Sequence, residues 1–247
     1  MIVLFDLGAT FWYYYFAQLS AVDAYSNTLD RIDWYAKSNP GRFVVCCDHP
    51  VLKRKQMDPT YKAQRKEKPR DGVDALTSVE ERAREWGLPV VKLEGFEGDD
   101  IVSTLCAQAW PETVQIVGTE KDFYALLADN VTLVGRQGTI DESDCMRKFG
   151  CAPSQMTDYL ALCGDYADGV KGCPNCGPDR SARLLERFGT IARIKAATDD
   201  ELKELKGIGE KTRASLREWD PTQALSLVRL MTDAPVNLWE LLGGSHE

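Results

Sequence analysis

The sequence is poor in histidine and lacks any long apolar run. Its 247 residues include only two histidines, so a site built mainly from imidazole ligands is excluded. No stretch of about 18 uncharged apolar residues is present, and a transmembrane helix is therefore not expected. The first residues carry no basic leader, and Asp6 interrupts the apolar segment found there. We expect a protein that does not bind membranes and that stays in the cytoplasm.

Cysteine is also too sparse for a disulfide scaffold, with eight residues in the whole chain. Cys46, Cys106 and Cys163 lie in apolar runs, which indicates buried thiols in a reducing compartment. Cys173 and Cys176 have the spacing of a zinc-ligand pair, but no second pair accompanies them, which disfavours zinc. The composition, 44% hydrophobic and 28% charged, is that of an ordinary globular protein.

The net charge of −8 hides a strong asymmetry along the chain. Residues 51–70 contain eight bases and two acids, and residues 171–217 contain eleven bases and seven acids. The remainder is strongly acidic. Two basic segments on an acidic body favour a polyanionic partner held at two places. Solvated helix faces are the alternative interpretation of both segments.

Short apolar runs, each followed by a helix-like segment, predict an α/β fold with a central, mostly parallel sheet and flanking helices. The runs are Ile2–Phe5, Phe43–Cys47, Pro89–Leu93 and Val114–Val117, and Val131–Val134 is a candidate for one more strand. From about Cys151 the pattern changes to helices and glycine turns. We therefore predict an α/β core over residues 1–150, with a basic arch at about 50–75, and a helical subdomain over 151–247.

Carboxylates follow the predicted strands repeatedly. They are Asp6, Asp48, Glu97, Asp99, Asp100, Glu120 and Asp122, and Asp165 and Asp168 precede a glycine turn. Ligands of open parallel sheets bind at the carboxyl ends of the strands. An acid after a strand is also a common helix N-cap, which is the alternative for each residue taken singly.

Converging carboxylates stay ionised only when cations neutralise them. Oxygen ligands without histidine or thiolate favour Mg²⁺ or Mn²⁺, and this number of acids indicates two ions. A pair of such ions suits the attack of water on a phosphodiester, because it stabilises both the entering and the leaving oxygen.

Four ordered segments of the chain resemble the 5′-nuclease family, which includes flap endonucleases, phage 5′-exonucleases and the 5′-nuclease domain of bacterial DNA polymerase I. They are Tyr61–Arg65 (YKAQR), Glu94–Asp100 (EGFEGDD), Thr119–Phe123 (TEKDF) and Gly164–Gly172 (GDYADGVKG). The last is similar to the opening of the family's helix–three-turn–helix DNA-binding motif. The resemblance covers residues 2 to about 217 and implies a PIN-like core plus that helical subdomain.

The resemblance implies a role for each matching residue. Asp6, Asp48, Glu97 and Asp99, with Asp100 close by, would hold one ion, and Glu120, Asp122, Asp165 and Asp168 the second. Lys62 and Arg65, three residues apart and so expected on one helical face, would contact the scissile phosphate. Phosphate contacts to duplex DNA are expected from Arg54, Lys171, Gly172, Gly177, Arg180 and Arg183, with K⁺ a candidate ion at the Gly172–Gly177 hairpin.

Structural alternatives exist for several of these residues. Lys62 is also compatible with a solvent-facing helix lysine, and Arg180 and Arg183 with ion pairs to Asp179 and Glu186. A second hairpin at 207–209 is either another phosphate clamp or a plain turn between helices. The chain also departs from the family pattern: Glu120 replaces an aspartate, Gly169 an asparagine and Asn175 a hairpin glycine, which Asn tolerates because it accepts positive φ.

The sequence thus predicts a monomeric, metal-dependent 5′-nuclease that acts on DNA flaps, 5′ ends and duplex, with the RNA of hybrids as a further candidate substrate. A DNA polymerase partner would be a separate chain. One alternative is a ribonuclease with a related core. Another is a DNA-junction binding protein without catalysis, which the many acids beside a polyanion site disfavour.

Overall fold

The computed structural model describes residues 1–118, 120–135 and 138–244, and it divides into two compact units. The first unit comprises Met1–Lys53, Lys66–Asp141 and the chain from Leu230 onward. The second comprises Arg54–Arg65 and Glu142–Arg229. None of the described helices is long and apolar enough to cross a membrane.

A six-stranded sheet forms the centre of the first unit, with the order β3-β2-β1-β4-β5-β6. The strands are β1 (Ile2–Asp6), β2 (Phe43–Cys47), β3 (Val90–Lys92), β4 (Val114–Val117), β5 (Val131–Gly135) and β6 (Gly138–Ile140). The pairs among β1 to β5 are parallel, and β6 pairs antiparallel with β5. The predicted α/β fold with a mostly parallel sheet is confirmed, and the antiparallel edge strand was not predicted.

Helices follow the strands as the apolar pattern requires. In chain order they are α1 (Leu7–Gln18), α2 (Ala21–Ser38), α3 (Lys53–Met57), α4 (Arg70–Glu85) and α5 (Gly98–Gln108). Val3 and Phe5 of β1 pack in one core cluster with Phe11 of α1, Ile32 of α2 and Val79 of α4. α5 packs against β1 and β2. β1 lies between two parallel neighbours, and its first residues, Ile2–Phe5, are fully buried, which explains its uninterrupted apolar sequence.

The second unit is helical, as predicted for this part of the chain. Its helices are α6 (Glu142–Phe149), α7 (Met156–Cys163), α8 (Pro178–Phe188), α9 (Ile191–Ala196), α10 (Asp199–Lys203), α11 (Glu210–Glu218) and α12 (Thr222–Val228). A glycine turn precedes α8, and another precedes α11. Residues 59–65 form turns and a bend, so the expectation that Lys62 and Arg65 share a helical face is wrong. Lys62 has φ 55° and cannot be part of a right-handed helix there.

The chain after Leu230 returns to the first unit and ends in α13 (Leu238–Leu241). Three polar side chains, spaced by four residues along one face of α5, accept hydrogen bonds from the backbone of this C-terminal segment. Asp100 Oδ1 accepts the Met231 N–H at 2.8 Å, and Gln108 Oε1 accepts the Leu238 N–H at 2.8 Å. Thr104 lies between them and also bonds this segment. The C-terminal segment therefore holds α5, the helix that begins at the Glu97–Asp100 acids.

Replacing Gln108 by alanine tests this anchoring. The Gln108 amide also donates to the Val236 carbonyl at 2.8 Å, so Gln108→Ala leaves two backbone groups without a partner. We expect the free energy of unfolding, measured by urea titration, to fall by about 1–3 kcal/mol. Gln18→Ala, at an exposed glutamine at the end of α1, is the control and should change it by less than about 0.5 kcal/mol. Equal effects of the two substitutions would contradict the anchoring role.

Candidate metal centre and nucleic-acid interface

Two predicted metal ligands, Asp6 and Asp48, lie at the ends of neighbouring parallel strands. Asp6 ends β1 and is paired in register with Cys46 of β2, and Asp48 directly follows β2. A Cβ atom at Gly8 would lie 3.1 Å from Asp48 Oδ2 and 3.6 Å from Asp6 Oδ1. Both carboxylates therefore face the same glycine, which leaves the space between them open.

The N-terminus of α5 brings three further acids to this edge of the first unit. One carboxylate oxygen from each of Glu97, Asp99 and Asp100 lies within 4.8 Å of the others. Asp48 Oδ1 accepts the Gly98 N–H at 2.7 Å, so it is attached to the first turn of the same helix. The structure thus brings together the acids that follow β1, β2 and β3.

The pKa of Asp6 is raised well above its usual value, mainly because the carboxyl group is buried. The negative charges of Asp48 and Glu120 raise the pKa further, and hydrogen bonds from the backbone of Gly8 and Ala9 oppose the shift. Proximity to both acids makes the ionised form of Asp6 costly in the absence of a cation. A bound divalent cation would offset this repulsion.

Helix capping, the alternative function for these acids, is also present. Asp6 Oδ1 accepts the Ala9 N–H at 3.1 Å and caps α1. Glu97 and Asp100 form a capping box, with Asp100 Oδ2 accepting the Glu97 N–H at 3.2 Å. A carboxylate offers about four lone-pair sites, so capping and metal binding are compatible. Asp100 is fully buried and uses both oxygens for backbone N–H groups, which favours a structural role.

The donor set of this edge fits a hard divalent cation, because every acidic ligand there offers oxygen. Glu120 is exposed and precedes a short 3-10 helix, Lys121–Leu126, in which Asp122 is half-buried. Glu120 is near enough to raise the pKa of Asp6. Thr119 of the same sequence motif lies outside the described residues.

The remaining two acids, Asp165 and Asp168, form a tight loop in the second unit. Asp165 pairs with Val170 through two backbone hydrogen bonds of 2.9 and 2.8 Å. The loop bonds to the Thr60–Arg65 turn: the Lys62 N–H donates to the Asp168 carbonyl at 2.8 Å, and the Arg65 guanidinium forms an ion pair with the Asp168 carboxylate. Two residues predicted for phosphate contact thus adjoin a predicted metal ligand within this unit.

Glycine is required at two positions of this unit by close backbone approach. A Cβ atom at Gly172 would lie 2.3 Å from the Gly164 nitrogen, and one at Gly169 would lie 2.8 Å from the Thr60 carbonyl oxygen. Gly169 also has φ 75°. These glycines therefore allow the loop and the hairpin to pack. Asn175 adopts φ 64°, as expected for the residue that replaces a hairpin glycine.

The arginines of α8 connect the two hairpins. Arg180 donates to the Gly207 carbonyl at 2.9 Å and to the Asn175 carbonyl at 2.8 Å, and Arg183 donates to the Lys206 carbonyl at 2.9 Å. The suggested ion pairs with Asp179 and Glu186 are not formed among the described residues. A cleft of about 490 Å³ lies between the hairpins and is lined by Asn175, Arg180 and residues 207–212. Gly177 and Gly209 are open to solvent, with no atom within 4 Å of a Cβ placed there.

Arg54, which belongs to the second unit, is buried. It is 2% exposed, and its Nη2 donates to the Arg229 carbonyl at 2.7 Å. A guanidinium enclosed in this way does not reach an external phosphate, so the prediction that Arg54 contacts DNA is not supported. Lys171, in contrast, is exposed.

One feature of the sheet edge was not predicted. Arg31 of α2 lines a small depression together with Thr10 and Tyr13 of α1 and Gly118 after β4. The sequence does single out Arg31, because it is the first basic residue of the chain and lies next to the buried Ile32. Its position at the sheet edge depends on how α2 packs, which the sequence pattern does not define.

Comparison with known families agrees with this architecture. Residues 5–150 match the model of the 5′-3′ exonuclease N-terminal resolvase-like domain, and residues 151–241 match that of the 5′-3′ exonuclease C-terminal SAM fold. An α/β core with acids at the carboxyl ends of its strands, together with a helical hairpin unit, defines this class of protein. The chain belongs to the 5′-3′ exonuclease family.

Individual relatives support the assignment. The chain is 32% identical to the flap endonuclease Xni of Shewanella loihica, covering 82% of this chain and 78% of that protein. It is 34% identical to DNA polymerase I of Rhizobium leguminosarum over 89% of this chain, but it spans only 22% of that relative. A bacteriophage T5 flap endonuclease, crystallised with DNA and metal ions, has the same fold, with a TM-score of 0.74 and 20% identity over 94% of this chain and 89% of that one.

The raised pKa of Asp6 predicts the pH dependence of the metal-free protein. The folded carboxyl group binds a proton more tightly than the unfolded one, so folding stability decreases as pH rises from the unfolded pKa towards the folded pKa. In chelator, Asp6→Asn should therefore be more stable than wild type at neutral pH, and the difference should vanish in acid. Urea unfolding between pH 4 and 8 measures this. A wild-type protein that is more stable than Asp6→Asn at pH 7 in chelator would contradict the prediction.

Proposed function

We propose that the chain is a metal-dependent 5′-nuclease that hydrolyses phosphodiester bonds at DNA 5′ ends and flaps. The observation that carries the proposal is the convergence of Asp6, Asp48, Glu97 and Asp99 at the carboxyl edge of the sheet, on a chain of the 5′-3′ exonuclease family. The chain spans about a quarter of the length of the DNA polymerase I relatives that it matches, and a DNA polymerase is proposed as a partner. We further propose a monomer.

Two Mg²⁺ or Mn²⁺ ions are proposed as cofactors. Asp6, Asp48, Glu97 and Asp99, with Asp100 in support, would hold the first ion. Glu120, Asp122, Asp165 and Asp168 are assigned to the second ion by family resemblance. When bound, such ions activate water and stabilise charge on the entering and leaving oxygens. The raised pKa of Asp6 supports a cation requirement at this edge.

The chain's own basic groups would position the nucleic acid. Lys62 and Arg65 are proposed to bind the scissile phosphate, where positive charge stabilises the transition state. The ion pair with Asp168 holds the Arg65 guanidinium in place for this task. RNA in hybrids is a second candidate substrate, and a chain that cuts RNA alone would favour the ribonuclease alternative.

The second unit is proposed to grip duplex DNA without sequence preference. Lys171, Gly172, Gly177, Arg180 and Arg183 belong to its hairpin surface, and K⁺ is a candidate ion among the hairpin carbonyls. This assigns the nuclease core chiefly to residues 1–150 and duplex binding to the part of residues 151–247 that belongs to the second unit, which ends at Arg229. Arg180 and Arg183, which donate to carbonyl groups of the second hairpin, would support DNA binding in two ways. They would hold the two hairpins in place relative to each other, and their positive charge would attract phosphates.

A flap substrate labelled at its 5′ end tests the proposal directly. We expect release of short labelled products with Mg²⁺ and none with chelator. Product lengths separate stepwise removal of nucleotides from cutting at the flap junction. A chain that binds the flap with high affinity but leaves it intact under both conditions would favour a DNA-junction binding protein without catalysis.

Asp48→Asn removes the negative charge of this carboxylate but keeps its hydrogen bond, because the asparagine side chain still accepts the Gly98 N–H. We expect kcat to fall by at least about 100-fold, the size of effect seen when charge stabilisation of a transition state is removed, with flap affinity nearly unchanged. The control is Asp33→Asn, which removes a charge from an exposed ion pair with Lys37 on α2 and should leave cleavage intact. Equal activity of both variants would remove Asp48 from the proposed site.

Lys171→Ala tests the hairpin surface. Phosphate contacts carry no sequence information, so affinity should fall by similar factors for flaps and for plain duplex. The slope of log K against log salt should decrease by about 0.9 for one lost contact to B-form DNA. Lys203→Ala is the matched control, since Lys203 is paired with Asp199 and Asp200 on α10. An unchanged slope for Lys171→Ala would exclude this lysine from the DNA contact.

A further inference from the structure

We propose that a phosphate group of the substrate strand binds in the depression beside Asp6 and is held there by Arg31. The inference rests on the proposed nuclease function, since it identifies a second place where the substrate strand is held. The depression belongs entirely to the first unit, and its described lining includes Ala9, Thr10, Tyr13, Arg31 and Gly118. We call it the Arg31 depression.

The Arg31 depression lies at the point where the strand order of the sheet reverses. β1 pairs with β2 on one side and with β4 on the other, and the chain reaches β4 only after β2 and β3. Ala9 follows β1 and Gly118 follows β4. Open parallel sheets bind their ligands in the crevice at such a switch point. Topology and the lining residues thus indicate the same location.

The Arg31 depression adjoins the carboxylate cluster directly. The Ala9 N–H donates to Asp6 Oδ1 at 3.1 Å, and a Cβ atom at Gly118 would lie 3.1 Å from Asp6 Cβ. Asp48 lies on the other side of β1, after β2. A strand that places its scissile phosphate at the carboxylates would therefore bring a neighbouring phosphate to the Arg31 depression.

Arg31 has binding capacity that the described chain does not use. Its Nε is buried and has no hydrogen-bond partner among the described residues. Nη1 makes a long contact of 3.5 Å to the Tyr14 hydroxyl, and the guanidinium lies 5.8 Å from the centre of the Tyr35 ring. A buried donor without a partner is costly, and a guanidinium matches the oxygens of phosphate in a two-pronged geometry.

The volume and the charge of the Arg31 depression indicate which chemical group it can bind. The Arg31 depression has a volume of about 30 Å³, which accommodates about two water-sized groups and excludes a nucleobase. Among its described lining residues Arg31 carries the only charge, and Thr10 adds a hydroxyl. A small site with one half-buried cation and neutral walls suits phosphate oxygens. The phosphate is either an internal phosphodiester or a terminal 5′-phosphate.

The experiment compares Arg31→Ala and Arg31→Lys with wild type on two flaps of one sequence, one with a 5′-phosphate and one with a 5′-hydroxyl. Equilibrium binding is measured in chelator over a range of salt, and cleavage is measured with Mg²⁺. The control is Arg42→Ala, which removes an arginine paired with Glu112 at 2.8 Å just before β2, at the opposite edge of the sheet. Thermal melting of each variant reports any loss of folding.

We expect Arg31→Ala to weaken binding by roughly 10-fold or more and to lower the salt slope by about 0.7, the value for one phosphate contact to a single strand. Arg31→Lys should keep the slope and recover part of the affinity, which a purely packing role would not produce. Equal losses on both flaps indicate an internal phosphodiester, and a loss confined to the 5′-phosphate flap indicates the terminal group.

An Arg31→Ala variant with the affinity and salt slope of Arg42→Ala would overturn the inference, as would a wild-type protein that binds neither flap. The proposed function fails by a different result: a wild-type protein whose binding depends on Arg31 but which cuts neither flap with Mg²⁺. The two hypotheses are therefore separable in one set of measurements.

Discussion

Electrostatic repulsion among carboxylates at the carboxyl edge of the sheet is the constraint on which the candidate site depends. Asp6 is almost fully buried, and Asp48 and Glu120 raise its pKa. The fold tolerates this arrangement because backbone N–H groups at helix N-termini stabilise part of the negative charge. The Ala9 N–H donates to Asp6, and the Gly98 N–H donates to Asp48. The remaining negative charge would favour a bound cation at this edge, as proposed above.

Helix capping and metal binding are two uses of the same geometry. A parallel strand that runs into a helix leaves unpaired N–H groups at the point where its carboxyl end meets the crevice. An acid at that point caps the helix and faces the crevice at once, as Asp6 and Glu97 do. The choice between capping and ligation posed by the sequence is therefore not exclusive. Asp100 is the exception, because the C-terminal segment occupies the second of its oxygens.

The second unit uses its basic residues in a different way from the one that charge counting suggests. Arg54 is enclosed and bonds a carbonyl, and Arg180 and Arg183 tie one hairpin to the other. Guanidinium groups can make several hydrogen bonds at fixed angles, so arginine builds such turns as well as binding phosphate. Only some of the positive charge in the basic segments, such as that of the exposed Lys171, is therefore left available for a partner.

The sequence by itself determined the fold class, the parallel strands and the acids that follow them, because burial on both faces of a parallel sheet requires apolar runs and the acids end those runs. It also showed that Asn175 could take the positive φ of the hairpin glycine it replaces, and it does so in the structure. Only the tertiary structure decided the turn at Lys62, the burial of Arg54 and the position of Arg31, since each depends on contacts between residues distant in the chain. The C-terminal segment on α5 was equally hidden, because its hydrogen bonds are made by the backbone, which has no signature in the sequence.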